Sequence, residues 1–146
     1  MFLGQFYHNL DDKGRLTVPA RFRDLLSSEG AYLMQGFEKN LMLFPASTFE
    51  NIAQRVKQMS VTDPKARLLR RLIFSTAGYV ELDKAGRILV VQFLRQIANL
   101  DRDAVVVGNG DFVEIWTPEN WELQLQQLQD SDANNERFAA LSLAAD

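Results

Sequence analysis

The chain repeats itself. Asp11 to Arg23 reads DDKGRLTVPARFR, and Asp83 to Arg95 reads DKAGRILVVQFLR, 72 positions later (83 − 11 = 72). The same offset pairs Tyr7 with Tyr79, Leu10 with Leu82, Gly14 with Gly86, Arg15 with Arg87, Val18 with Val90, Arg23 with Arg95 and Gly36 with Gly108. Further on, Leu41, Leu43, Phe44 and Phe49 fall on Val113, Ile115, Trp116 and Trp121, and the alignment needs no gap. Two copies of one unit must find one local structure twice. A unit of about 50 residues struggles to bury enough surface on its own. The repeat therefore predicts one intertwined domain of 146 residues in which both copies share a core.

Within the first copy, Gln5 to Leu10 reads as a strand, with Phe6, His8 and Leu10 on one face. Asp11-Asp12-Lys13-Gly14 has the Asp and Gly of a type I turn whose glycine takes the left-handed region. Arg15 to Val18 reads as the return strand of a hairpin, ended by Pro19, which has no N–H for a ladder. Ala20 to Leu26 reads as a short helix with Phe22, Leu25 and Leu26 inward and Arg21 and Arg23 outward. A second hairpin follows, Ala31 to Gln35 and Leu41 to Phe44. Ser47-Thr-Phe-Glu50 has the spacing of a capping box for the next helix. Asp63-Pro64 starts another helix running to about Phe74, with Leu68, Leu69, Leu72 and Ile73 inward and Lys65, Arg67, Arg70 and Arg71 outward.

The second copy follows the same plan: Tyr79 to Leu82, the turn Asp83 to Gly86, the return Arg87 to Val90, and a helix over Gln92 to Ala98. Strands at Ala104 to Val107 and Phe112 to Trp116 flank Gly108-Asn-Gly110. Thr117-Pro118 caps a helix carrying Trp121, Leu125 and Leu128. Asp130 to Asn135 reads as a polar break, and Glu136 to Ala145 as a terminal helix or a disordered tail.

Composition narrows the chemistry. The single histidine, His8, lies on the apolar side of a strand pattern and reads as a packed or rim residue rather than a general base. One His and no Cys cannot build a typical zinc site. No glycine-rich phosphate loop is present, so no catalytic, metal or cofactor site is expected. No apolar run reaches the roughly 18 residues of a membrane span. The net charge of −3 is unevenly spread: residues 119 to 146 hold six acidic groups against Arg137, leaving room for a basic face elsewhere.

That face is suggested by the two D-x-x-x-R turns, Asp11 with Arg15 and Asp83 with Arg87. A purely structural role would by itself explain the repeat, since Asp accepts turn amides, Gly supplies the backbone angle and Arg pairs with Asp. Yet Lys13, Arg15, Lys84 and Arg87 crowd two hairpin turns, and cationic hairpins can enter the DNA major groove.

DDKGRLTVPARFR followed by DKAGRILVVQFLR resembles the MraZ family, bacterial proteins with two tandem AbrB-like (SpoVT-AbrB) motifs. The resemblance implies an α+β fold: a swapped-hairpin AbrB-like β-barrel formed by the two motifs of one chain, with flanking helices. It implies a first motif over 5–50, linking helices over 51–75, a second motif over 77–122, and a C-terminal helix and acidic tail over 123–146. It further implies a sequence-specific transcriptional regulator, cytoplasmic and nucleoid-associated, assembled as a ring-shaped homo-oligomer. Its partner would be double-stranded DNA, at short direct repeats upstream of its own gene in the cell-division and cell-wall cluster. The DNA-binding residues would be Lys13, Arg15, Arg21, Arg23, Lys84 and Arg87, with Asp11, Gly14, Asp83 and Gly86 orienting the turns. The second copy departs from the first with Val91, Phe93 and Ala85 in place of Pro19, Arg21 and Lys13. Two other readings remain open on the sequence: a protein-interaction ring with no DNA role, and an AbrB-like antitoxin.

Overall fold

The computed structural model describes residues 1–143. The first copy contributes β1 (Gln5–Asn9), β2 (Arg15–Thr17), α1 (Ala20–Ser27), β3 (Ala31–Gln35), β4 (Leu41–Pro45) and α2 (Ala46–Lys57). The linker forms α3 (Pro64–Thr76). The second copy contributes β5 (Gly78–Val80), β6 (Arg87–Leu89), α4 (Gln92–Ile97), β7 (Asp103–Asn109), β8 (Phe112–Trp116) and α5 (Pro118–Leu128), followed by α6 (Ser131–Phe138). The class is α+β, with an antiparallel six-stranded sheet in the order β1-β7-β8-β4-β3-β5 and a separate ribbon of β2 and β6.

The copies exchange strands. β1 pairs with β7 of the second copy, β5 pairs with β3 of the first, and β4 and β8 meet at the centre. The expected hairpin between β1 and β2 is therefore only a stub. The two strands touch at the Leu10–Leu16 bridge and through the Asp11 N–H, which donates to the Arg15 carbonyl at 2.9 Å. Beyond that point β2 pairs with β6, Arg15 opposite Leu89 and Thr17 opposite Arg87. The Val18 N–H extends this ladder to the Gly86 carbonyl (2.9 Å), and the Val90 N–H to that of Gly14 (2.8 Å).

A pseudo-twofold axis passes through two cross-copy pairs, Leu16 with Ile88 and Met42 with Glu114, each made of residues 72 apart. The gap-free alignment fails in one place. Tyr32 pairs with Phe44 as Val105 pairs with Trp116, and Leu33 with Leu43 as Val106 with Ile115. Thus β3 matches β7 at an offset of 73 (105 − 32 = 73), whereas β4 matches β8 at 72 (116 − 44 = 72). The second copy has one more residue before this hairpin and a shorter turn within it. Side-chain direction forces the shift, because a one-residue slip would turn every apolar residue of β7 to the wrong face.

The core lies between the inner face of the six-stranded sheet and a layer formed by the ribbon, α1 and α4. Leu16 and Ile88 from the ribbon, Phe22 and Leu26 from α1, and Leu94 from α4 pack on Leu33, Leu43, Val106 and Ile115. Phe22 is held edge-on by Phe2 (5.2 Å between centroids) and Phe6 (5.3 Å). Burying a side chain of this size contributes about 1.5–3 kcal/mol. On the outer face, α2 and α3 cover Met34, Met42 and Phe44, while α5 covers Val105, Val107 and Trp116. The Trp121 indole N–H of α5 donates to Gln5 Oε1 at 2.7 Å, tying the second copy's helix to the first copy's strand.

Several local expectations need correcting. Ser47 does not cap α2, which begins at Ala46 behind Pro45. Instead the Ser47 amide and hydroxyl both donate to Glu29 Oε1 (3.1 and 2.7 Å), so the cap comes from a neighbouring loop. Leu68, expected inward, is 64% exposed because Ala66, Leu69 and Ile73 form the packed face of α3. Leu25 and Leu128 are likewise exposed. Asp130 to Asn135 is not a break: the Asp130 carboxylate accepts from the Ala133 N–H (3.1 Å) and starts α6. Of the stretch proposed as a terminal helix, Glu136 to Phe138 belongs to α6, and Ala144 and Ala145 lie outside the described residues.

Candidate nucleic-acid interface

The two D-x-x-x-R turns are near copies in atomic detail. Asp11 Oδ1 accepts from the Lys13 N–H (3.0 Å) and the Arg15 N–H (2.8 Å), and Asp11 Oδ2 accepts from Arg15 Nε (2.7 Å). Asp83 Oδ1 accepts from the Ala85 and Arg87 amides (both 2.9 Å), and Asp83 Oδ2 accepts from Arg87 Nε (2.9 Å). The Gly14 N–H closes the first turn on the Asp11 carbonyl (3.0 Å), as Gly86 does on Asp83 (3.0 Å). Both glycines have positive φ, 82° and 76°. The arginine's backbone N–H is the leading cause that holds each aspartate carboxyl below the ordinary carboxylate range, and its guanidinium adds to it. The carboxylate in turn fixes the direction of each arginine.

The ribbon then brings the two arginines together. In a strand, alternate residues share a face, and residues directly opposite across an antiparallel pair share it too. Leu16 and Ile88 point into the core. Arg15, Thr17, Arg87 and Leu89 therefore occupy the outward face, one arginine from each copy. Leu89 is half exposed there. The Arg15 and Arg87 side chains keep 34% and 29% of their surface in solvent. Lys13 and Lys84 are exposed at the two turn tips, and Arg21 is exposed on α1.

The symmetry is broken at one contact. Arg87 Nη1 reaches across to Asp11 Oδ2 at 3.4 Å, while no Arg15–Asp83 ion pair exists among the described residues. Arg15 keeps both Nη nitrogens without a protein partner among those residues, whereas Arg87 shares one with the other copy. A guanidinium held through Nε with its terminal nitrogens available can bond a phosphate or the O6 and N7 of guanine.

Arg23, expected to point outward, folds back instead. Its Nε donates to the Val18 carbonyl at 2.9 Å, and its side chain lies over Gly86 of the other copy. Arg95 is its counterpart in the second copy, donating through Nη1 to the Val90 carbonyl at 2.9 Å and covering Gly14. Each arginine thus locks the turn of the opposite copy, and a Cβ on either glycine would collide with it. Arg95 was not singled out in the sequence as a site residue, although its 72-residue offset from Arg23 marks it as the equivalent position. Thr17 and Leu89 were also missed, because only the cross-copy register places them beside the arginines. At the position equivalent to Arg21 the second copy exposes Phe93, so α4 presents an apolar group where α1 presents a cation.

His8 sits on β1 opposite Ala104, partly buried, and takes no part in the ribbon. Burial first, and the nearby Arg23 charge second, push its pKa below the ordinary histidine value. Among the described residues, no cluster of three or more His, Asp or Glu side chains could hold a metal ion, and no helix is long and apolar enough to cross a membrane.

Comparison with known proteins finds one family model twice in tandem, over residues 1–72 and 73–142, with the description "MraZ protein, putative antitoxin-like". The chain is 47% identical to the transcriptional regulator MraZ of Thermomicrobium roseum over 128 residues, 88% of this chain and 89% of the relative. It is 45% identical over 130 residues to the transcriptional regulator MraZ of Herpetosiphon aurantiacus, covering 89% and 90%. The transcriptional regulator MraZ of a Roseiflexus species matches at 44% over 139 residues, covering 95% and 94%. With its repeated Asp-Arg turns, its strand exchange between copies and these matches across nearly its whole length, the chain belongs to the MraZ family.

Proposed function

We propose that this chain is a sequence-specific DNA-binding transcriptional regulator. The observation that carries the reading is the cross-copy ribbon, whose outward face holds Arg15 and Arg87, each oriented by its own aspartate. A two-stranded ribbon fits the major groove, which is about 12 Å wide. Arg15 and Arg87 would supply base or phosphate contacts, and Lys13, Lys84 and Arg21 would meet phosphates at the edges. Asp11, Gly14, Asp83 and Gly86 would shape the turns. Arg23 would act by holding the Gly86 turn rather than by touching DNA.

The two motifs would together make a swapped-hairpin barrel, a reading supported by the strand exchange between the copies and by the separate β2–β6 ribbon. We keep the division into a first motif over 5–50, linking helices over 51–75, a second motif over 77–122 and a C-terminal region over 123–146. One protomer offers only a handful of cations to DNA, so its binding would be weak and salt-sensitive. A ring of protomers raises the effective concentration of each next contact. Short direct repeats upstream of its own gene, in a cell-division and cell-wall cluster, would match such a ring, and the protein would then concentrate at the nucleoid. The test is affinity of the purified chain for DNA from upstream of its own gene against scrambled DNA at moderate salt. Preference for the upstream fragment of at least about tenfold is expected on general specificity grounds. Equal binding to both would overturn the reading.

A further inference from the structure

Charge is segregated between the copies. Residues 1–72 carry eleven Lys/Arg against seven Asp/Glu, net +4, and residues 73–146 carry five against twelve, net −7, which together give the chain's −3. The difference is concentrated in helices on the outer face of the sheet. Pro64–Thr76 holds Lys65, Arg67, Arg70 and Arg71 and no acidic residue, net +4. The stretch from Pro118 to Phe138, α5 and α6 together, holds Glu119, Glu122, Asp130, Asp132 and Glu136 against Arg137, net −4.

Both surfaces also expose apolar groups. On α3, Leu68 is 64% exposed and Phe74 lies open beneath Arg70, whose guanidinium carbon stands 5.7 Å from the ring centroid. On α5 and α6, Leu123, Leu128 and Phe138 are each at least half exposed. α6 buries no residue within its own chain. It is held on α5 through polar bonds, Asn134 Nδ2 donating to the Leu128 carbonyl (2.8 Å) and Arg137 Nη1 to that of Gln127 (3.3 Å). A helix that fully buries none of its side chains in its own protomer, with apolar groups exposed beside it, is a ready contact for another.

From these features we infer that the basic and apolar face of α3 docks the acidic and apolar face of α5 and α6 on a second copy of the chain. α3 packs over the β3–β4 half of the sheet and α5 over the β7–β8 half, on opposite sides of the Met42–Glu114 axis. One contact between two protomers uses one face of each kind and leaves one of each open. The contact is therefore head-to-tail, and it forms the proposed ring when the rotation from one protomer to the next closes on itself. Like faces repel, which disfavours the alternative pairing. The inference rests on the proposed ring and names its interface.

The test reverses charge on each face of the full-length chain. Lys65→Glu with Arg71→Glu changes α3, and Glu122→Lys with Glu136→Lys changes α5 and α6; all four positions are exposed. Mass is followed by sedimentation across protein and salt concentrations, alongside melting temperature and DNA affinity. Each double variant is expected to assemble about tenfold more weakly or worse, as for interfacial charge reversal generally. The two variants mixed one-to-one, or all four changes in one chain, are expected to regain mass. Rescue by the second reversal separates a lost contact from a damaged fold. A wild type that stays monomeric or stops at a dimer overturns the ring along with this interface. A wild-type ring that neither reversal weakens overturns this interface alone. So does an α3 reversal that leaves the mass intact but weakens DNA binding, which would make α3 a phosphate surface instead.

Discussion

Asp11 lies between two guanidinium groups, bonded to Arg15 Nε at 2.7 Å in its own copy and approached by Arg87 Nη1 at 3.4 Å from the other. Asp83, its counterpart, pairs with Arg87 alone among the described residues. One copy's turn is thus tied to both arginines of the ribbon, and the two arginines are unequal in what they can offer a ligand.

Arg15→Ala is expected to weaken operator binding more than Arg87→Ala. Arg15 keeps both terminal nitrogens available and has exposed Lys13 and Arg21 nearby in sequence, whereas Arg87 spends one terminal nitrogen on Asp11. A lost bidentate base contact costs about 1–3 kcal/mol and relaxes specificity. A lost phosphate contact weakens all sequences alike and flattens the salt slope. Affinities of both variants for operator and random DNA, with mass and melting temperature checked, decide it. Wild-type affinity in a folded, assembled Arg15→Ala chain would remove the ribbon from the site.

Acid should unfold the protein partly through these turns. The Asp11 and Asp83 carboxyls are held below the ordinary value of 3.8 in the folded chain. Such a group adds stability that is complete above the ordinary value and is lost as pH falls through the lower, folded one. The melting temperature is expected to drop as pH falls below about 3.8 and to drop less steeply in an Asp11→Asn, Asp83→Asn double variant. Calorimetry over a pH series measures both slopes.

Gly14→Ala and Gly86→Ala should each destabilise the chain by about 1–2 kcal/mol from the left-handed backbone alone. A further loss is expected where the new methyl displaces Arg95 or Arg23 from its carbonyl. Gly78→Ala is the control, since that position has open space and no left-handed backbone. Denaturant midpoints for the three variants should separate it cleanly from the other two.

Residues 1–76 and 77–146 should not fold apart. β1, β2 and β5 find their principal ladders only in the other copy, and separation would leave open strand edges. Each half expressed alone is expected to lack a cooperative monomeric melt, and mixing the halves to restore one. A cooperative melt of either half as a monomer would contradict the shared core.

Much of this protein was legible in short stretches of sequence. The Asp-x-x-Gly-Arg turns, the Asp63 and Thr117 caps and the inward Phe22 and Leu26 of α1 each depend on neighbours within a few residues, so local chemistry was enough to find them. The duplication was equally plain, since it is a property of the string itself. Where local chemistry had a distant competitor, only the tertiary structure decided the outcome. β2 has the pattern of a return arm but finds its longer ladder on β6, and Ser47 has the spacing of a cap but bonds to Glu29. Arg23 sits on the polar side of its helix yet turns back over Gly86. The offset of 73 in β3 and β7 was hidden for a related reason: a slipped alignment of apolar residues looks as good as the true one until the sheet assigns each side chain a face. Pairing between segments some 70 residues apart is set by which strands can close a common core, and no single segment carries that information.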